Sequence, residues 1–210
     1  MPLVTQVSNL RNNMEQKLFH RRNLPHLHPS EGTFFITFRL AGSLPAEIIA
    51  RLRNEVEEQE KEKTKIKNKK GFFVQYDALL DNAKNGVHHL SNPEIASLCK
   101  NQLHYYDGKD YDLIAYSIMS NHIHVIFSLR ESSRSISQIM QSIKRYTARE
   151  SNKILNREGK FWQDESFDRF VRDEAELRKI ADYVINNPVK AGLVLNWEEW
   201  KWTYCNFNYL

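Results

Sequence analysis

One stretch leaves this chain little choice of fold. Tyr111 to Ile118 and His122 to Leu129 are two runs of strand-forming residues, separated only by a short polar turn around Ser120-Asn121. Two such runs so close together predict an antiparallel hairpin. In the second run His122 and His124 fall on one face, while Ile123, Val125, Phe127 and Leu129 fall on the other. The hairpin therefore has an apolar side that needs a core, and the opposite side carries two imidazoles. A third alternating run, Thr33 to Leu40, adds a half-buried strand.

Helical patterns surround these strands. Pro45 opens one with Ile48, Ile49, Leu52 and Val56, and Asn92-Pro93 opens another through Ile95, Leu98 and Leu103. Ile136 to Leu155 carries a stripe of Ile136, Ile139, Met140, Ile143 and Thr147. Asp173 with Glu176 forms a capping pair for a helix holding Leu177, Ile180, Ala181 and Val184, which stops at Asn186-Asn187-Pro188. The order strand, helix, helix, strand, strand, helix, helix predicts an α+β fold: a mostly antiparallel sheet with helices packed on it. Trp197, Trp200, Trp202 and Tyr204 make an aromatic C-terminal segment, read as packing.

At 210 residues, with no internal repeat, the chain reads as one domain over 1–210. Its 41% apolar and 27% charged residues are ordinary globular usage. Cys99 and Cys205 alone exclude a disulfide scaffold and favour a reducing compartment. No apolar run is long enough to span a membrane, and residues 1–13 lack the apolar core of a secretory signal. The expected place is the cytoplasm, with no membrane partner.

The net charge of +4 hints only weakly at a polyanionic partner, but its distribution says more. Between Arg134 and Lys160 seven basic residues face only Glu150 and Glu158, and residues 1–30 add Arg11, Lys17, Arg21 and Arg22 against Glu15. Both segments suit a phosphate backbone, or simply a solvated face. The stretch 57–70 is charged with both signs and carries no assigned role.

Three features carry chemistry. His122 and His124 form half of a metal site, or a plain pair of histidines. Tyr146 sits among Lys144, Arg145 and Arg149; beside a metal and cations its phenol becomes a nucleophile. Glu150 lies about 40° from Ile136 on a helical wheel, inside the apolar stripe, with Tyr146 at its edge. A carboxylate aimed inward needs either a cation held with the histidines or an arginine partner.

Taken together, the motifs resemble the IS200-like single-domain HUH transposases, the Y1 transposase family, and more narrowly the REP-associated tyrosine transposase branch. Ser120-Asn121-His122-Ile123-His124-Val125 resembles the HUH strand, and Ser142-Ile143-Lys144-Arg145-Tyr146 the tyrosine helix. Thr37-Phe38-Arg39-Leu40, Gly159 to Gln163 and Tyr183 to Val194 resemble further blocks. The resemblance implies a ferredoxin-like or RRM-like sheet. It implies a divalent metal, Mg2+ or Mn2+, on His122 and His124. A third ligand comes from the position four residues after the tyrosine, commonly an amide and here Glu150. It also implies a tyrosine, Tyr146, that attacks single-stranded DNA beside a hairpin, keeps a 5′-phosphotyrosine link and frees a 3′-OH. Lys144, Arg145, Arg149, Arg21, Arg22 and Lys190 are then the DNA-binding candidates. The resemblance also implies a place on the nucleoid when DNA is bound, and it admits a homodimer. Stretch 57–70 looks like an insertion. Two other readings compete. One is a hairpin-binding protein without strand transfer. The other, a zinc deaminase, fails for want of a Cys-x-x-Cys pair.

Overall fold

The structure is a computed structural model. It describes residues 31–45, 47, 48, 51, 76–81, 86–131 and 134–210, and the backbone of two short strands at 19–21 and 25–27. The charged stretch 57–70, Arg22, and the helix positions Ile49, Leu52 and Val56 lie outside the described residues.

The hairpin forms as its alternation demands. Strands β1 (Phe19–Arg21) and β2 (Pro25–Leu27) pair as a small ladder of their own. The main sheet holds β3 (Gly32–Arg39), β4 (Tyr111–Ile118), β5 (His122–Leu129), β6 (Phe167–Val171) and β7 (Thr203–Cys205), in the order β6-β3-β5-β4-β7 with every pair antiparallel. The helices are α1 (Pro93–Tyr106), α2 (Ile136–Ile154), α3 (Glu174–Ile185) and the single turn α4 (Asn187–Lys190). Read as β3-α1-β4-β5-α2-β6, the first four strands of the order reproduce the ferredoxin-like arrangement, an α+β sheet with helices packed on it.

The helix starts follow from their caps. The Asn92 side chain accepts from the Glu94 amide with Pro93 in the first turn, and Ser135 with Gln138 closes a reciprocal capping box on α2. Asp173 caps α3 by accepting from Glu176 N at 2.7 Å. The other half of the expected pair is different. The buried Glu176 carboxylate turns instead to the chain before the helix, accepting from the Arg172 amide at 2.9 Å and pairing with the Arg172 and Arg169 guanidiniums. It thereby fastens β6 to α3.

The sheet has two covered faces, and they differ in kind. On one, Phe34, Ile36, Phe38, Ile123, Val125 and Phe127 pack against Ile95 and Leu103 of α1 and Ile139 and Ile143 of α2. A bulge between Leu113 and Ala115 lets Leu113 and Tyr116 both join this layer. On the other face Phe35, Ala115, Ile126 and Val171 meet Ile180, Ala181 and Val184 of α3. Burying side chains such as Ile180 and Val184 stabilises by about 1.5–3 kcal/mol each, so apolar contact holds α3 in place before any polar group at its end is considered.

Sequence reading gave three long strands and missed β6 and β7. Phe167-Asp168-Arg169-Phe170-Val171 is short and charged, and both strands lie at the sheet's edges. The C-terminal aromatics are packing, as expected. Trp200 Nε1 donates to Ile118 O at 3.0 Å, and Tyr204 stacks on Tyr116 with ring centres 5.5 Å apart.

Hydrogen bonds from Arg172 hold the Glu176 carboxyl down at about 2 against the opposing effect of burial. A carboxylate depressed on folding stabilises above its ordinary value near 4.5 and loses that contribution as pH falls toward 2. Glu176→Gln should cost about 1–2 kcal/mol at neutral pH and nothing near pH 2. Urea unfolding of both proteins across that range checks it; parallel curves would remove Glu176 from the account.

Candidate metal centre

The pairing of β3 with β5 sets Thr37 opposite His124 and Arg39 opposite His122. Both imidazoles are wholly buried on the α3 side of the sheet. Their orientation is fixed from behind. The Asn121 amide nitrogen donates to Leu80 O at 2.9 Å, which leaves its Oδ1 as an acceptor 2.6 Å from His122 Nδ1. His122 Nδ1 therefore carries the hydrogen and Nε2 the lone pair. Burial, with His124 alongside, pushes the His122 pKa down to about 3, so the ring is neutral at physiological pH. His124 Nδ1 lies 2.7 Å from Thr37 Oγ1. This is the back-bonding that orients metal-binding histidines.

The two Nε2 atoms converge, 3.0 Å apart. A carboxylate joins them from the helical residues 76–81. Asp77 is fully buried, with Oδ1 3.0 Å from His124 Nε2 and 3.8 Å from His122 Nε2. Burial raises its pKa, but His124, His122 and Lys190 outweigh burial and hold the carboxyl below the usual carboxylate range. One ligand atom from each of Asp77, His122 and His124 lies within 4.8 Å of the others. Asp81, one turn on, puts Oδ1 4.0 Å from His122 Nε2; burial and the Asp77 charge raise its pKa.

The end of α3 closes the site. The Tyr183 ring lies 5.7 Å from His124 and 6.4 Å from Phe35. Asn187, four residues on and fully buried, donates from Nδ2 to Asp77 Oδ2 at 3.3 Å. Lys190 reaches Asp81 Oδ2 at 3.1 Å and Asp77 Oδ2 at 3.4 Å, with its ammonium 5.4 Å from the Tyr183 ring centre.

The donor set fits a divalent cation. Asp81 Oδ1 and Asn187 Oδ1 are buried and accept no hydrogen bond among the described residues, and Asp77 Oδ1 has His124 Nε2 alone within 3.0 Å among them. Orphaned buried acceptors are costly, and here they surround two imidazole nitrogens that face each other. Nitrogen and oxygen donors of this kind suit a divalent cation. His122, His124 and Asp77 would hold the ion, with the Asn187 oxygen close by.

The other expected site residues lie elsewhere. Helix α2 packs on the Ile123 and Val125 face, so the sheet separates it from the imidazoles. Tyr146, on α2, is 41% exposed, and Arg149 sits over its ring at 5.5 Å. Glu150 pairs with Arg149 at 2.6 Å and Lys153 at 3.1 Å, which draw its pKa down. The structure thus does not bring Tyr146 or Glu150 to the histidines. Glu150 takes the arginine-partner alternative, and the carboxylate at the imidazoles is Asp77. Lys144 is turned inward, donating to the carbonyls of Gln163 and Asp164 at 3.0 and 3.1 Å, and burial lowers its pKa to about 8. Arg145 and Arg149 are exposed on α2. Arg21 lies in β1, and its side chain is outside the description. Lys190 alone of the described DNA-binding candidates stands at the centre.

The IS200-like transposase family model matches residues 85–187, a span that runs from before α1 through both histidines to Asn187. Over that span, just under half of its length, the chain is similar to the IS200-like transposase family. A REP-associated tyrosine transposase of Haemophilus influenzae is 26% identical over 102 residues, covering 44% of this chain and 58% of that relative. The chain thus matches somewhat over half the length of this curated relative. A solved structure described as a REP-associated tyrosine transposase bound to a REP hairpin superposes with a TM-score of 0.53 at 17% identity, over 88% of this chain and 80% of that one. The last likeness concerns the fold.

Sequence reasoning missed Asp77, Asn187 and the place of Tyr183. For an IS200-like chain the signal was present: an amide four residues after a helical tyrosine describes Tyr183 and Asn187 as well as it fails to describe Tyr146 and Glu150. Asp77 carried no motif.

Mn2+ at about a hundredfold excess over its Kd should raise the melting temperature by about 5–10 °C. His124→Ala and Asp77→Ala should abolish that rise, and Glu150→Ala should keep it. A thermal shift lost in Glu150→Ala and kept in Asp77→Ala would return the ligand role to Glu150.

Proposed function

We propose that this protein is a divalent-metal-dependent transposase that cleaves and rejoins single-stranded DNA beside a hairpin, with Tyr183 as the nucleophile. The observation that carries the reading is the juxtaposition of the Tyr183 ring, 5.7 Å from His124, with the cluster of His122, His124 and Asp77. Tyr183 thus replaces Tyr146 in the role expected from the sequence.

In the proposed reaction the Tyr183 phenolic oxygen attacks a backbone phosphorus. A phosphorus–oxygen bond to tyrosine forms as the bond to the 3′-oxygen breaks. The electron pair leaves with the 3′-oxygen, which takes a proton and becomes a free 3′-OH. The DNA 5′-phosphate stays on Tyr183, ready for the same exchange with another 3′-OH, so cleavage and rejoining are one reaction run in two directions. A phenol with an ordinary pKa near 10 must shed its proton to attack. A bound divalent cation supplies charge neutralisation at the scissile phosphate. The chain supplies position. Phe35 and His124 pack the Tyr183 ring from two sides, and Asn187 is tied to Asp77 one helical turn on.

The hairpin substrate is inferred from the solved relative, a REP-associated tyrosine transposase bound to a REP hairpin. Arg145 and Arg149 lie across the sheet from Tyr183, so any phosphate they contact is remote from the cleaved one.

Wild-type protein with Mn2+ and a hairpin carrying a single-stranded flank should form a covalent adduct that survives a denaturing gel. Tyr183→Phe should remove it and Tyr146→Phe should leave it within about twofold, since the ring packs alike and only the attacking oxygen is gone. An adduct that persists in Tyr183→Phe refutes the assignment. Hairpin binding with no adduct under any metal would leave a binding protein without strand transfer.

A further inference from the structure

The carboxylates at the metal centre are used on both sides. Their Oδ1 atoms face the imidazoles: Asp77 at 3.0 Å from His124, and Asp81 at 4.0 Å from His122. Their Oδ2 atoms face Lys190, at 3.4 and 3.1 Å. Asp77 and Asp81 are almost wholly buried, whereas the Lys190 side chain is 45% exposed. The ammonium therefore stands on the solvent side of the buried carboxylates, and the inner oxygen of Asp81 accepts no hydrogen bond among the described residues. It also lies against the Tyr183 ring, 5.4 Å from its centre.

Two buried carboxylates a turn apart repel each other and need a cation. Only one ammonium reaches them among the described residues, which leaves the pair one positive charge short. A divalent ion seated among the Oδ1 atoms and the imidazoles makes up that charge, but it then shares the same two carboxylates with Lys190. The two cations oppose each other across groups only a few ångströms wide.

We propose that Lys190 is a resident cation that holds the metal-free centre together and gives up the carboxylates when the ion arrives, its ammonium then serving the scissile phosphate beside Tyr183. This rests on the metal-dependent transesterase reading given above. Lys190 suits the exchange because it is long, half-exposed and anchored on α4 directly after Asn187. A small movement takes its ammonium from the carboxylates to the open side of the Tyr183 ring. Part of the metal's binding free energy is spent in displacing it, so the centre binds its ion more weakly than its ligands alone would.

The test is Mn2+ binding by calorimetry on DNA-free protein, with adduct formation measured beside it. Lys190→Met removes the charge and keeps the length. It should bind Mn2+ about tenfold or more tightly than wild type, because a like charge is gone from a low-dielectric site. Its adduct rate at saturating Mn2+ should nevertheless fall about a hundredfold, and Lys190→Arg should stay within about tenfold of wild type on both measures. A lysine that only supports the fold would weaken metal binding and activity together. Removing it exposes an uncompensated carboxylate pair, so the melting-temperature rise on adding Mn2+ should be larger for Lys190→Met than for wild type. That measurement stands even if the variant is loosened without metal. Equal or weaker Mn2+ affinity in Lys190→Met, with no larger thermal rise, overturns this inference alone. Absence of Mn2+ binding by the wild-type protein overturns the metal-dependent reading and this inference with it.

Discussion

The pairing of β3 with β5 sets Thr37 opposite His124 at the centre of the sheet, and the site depends on that register. A slip of one residue would turn both imidazoles into the apolar layer and bring Ile123 and Val125 to the polar side. The register is over-determined. Phe34, Ile36 and Phe38 must face the α1–α2 layer, so Phe35, Thr37 and Arg39 face the other way. Leu40 N donates to Asn121 O at 2.9 Å just beyond the end of the ladder. The same Asn121 that ends the strand pairing sets the His122 tautomer, so strand register and imidazole orientation are one constraint.

From that register the division of labour between the sheet faces follows. One face is filled by α1 and α2 and carries no unsatisfied group of the centre. The other is apolar at the β6 side, where Phe35 and Val171 meet α3, and polar where β5 begins. Helix α3 spans both zones. Ile180, Ala181 and Val184 anchor it on the apolar part, and this delivers Tyr183, Asn187 and Lys190 to the polar part. A helix fixed by hydrophobic contact can hold reactive groups with little freedom, because those groups need not supply its docking energy. The Glu176 pairing with Arg169 and Arg172 secures the other end of the same helix.

The three long strands were legible because period-two alternation is unambiguous in Thr33–Leu40 and His122–Leu129, and the helices opening at Asn92-Pro93 and Ile136 formed where expected. The paired histidines were legible for the same reason. Which tyrosine lies beside them was not, and the reason is geometric. Wheel angles showed Glu150 near the buried stripe of α2 but said nothing of which sheet face that stripe covers. The apolar residues beside the histidines already held the answer: a stripe of Ile139, Met140 and Ile143 packs on Ile123 and Val125, which point away from His122 and His124. Asp77 was illegible in principle. It reaches the site through a tertiary contact from 76–81, with no local pattern to announce it.

Charge was a blunter signal. The basic run from Arg134 to Lys160 suits a phosphate backbone or a solvated face, and several of its members are engaged within the fold. Arg134 pairs with Asp110 at 2.7 Å, Lys144 is spent on two carbonyls, and Lys160 pairs with Asp164 at 2.6 Å. Arg149 and Lys153 share Glu150, and Arg157 meets His89 at 2.9 Å. Exposed pairs of this kind add little stability, and Asp110 and Asp164 offset part of the charge that the run carries. At the metal centre the balance runs the other way. Two buried carboxylates outnumber one half-exposed ammonium, and the flanking His122 ring is neutral. The local charge at this cluster is thus negative and enclosed, and it lies where a sequence net charge of +4 gives no hint of it. A polyanion approaching this face meets repulsion unless a cation is already seated there.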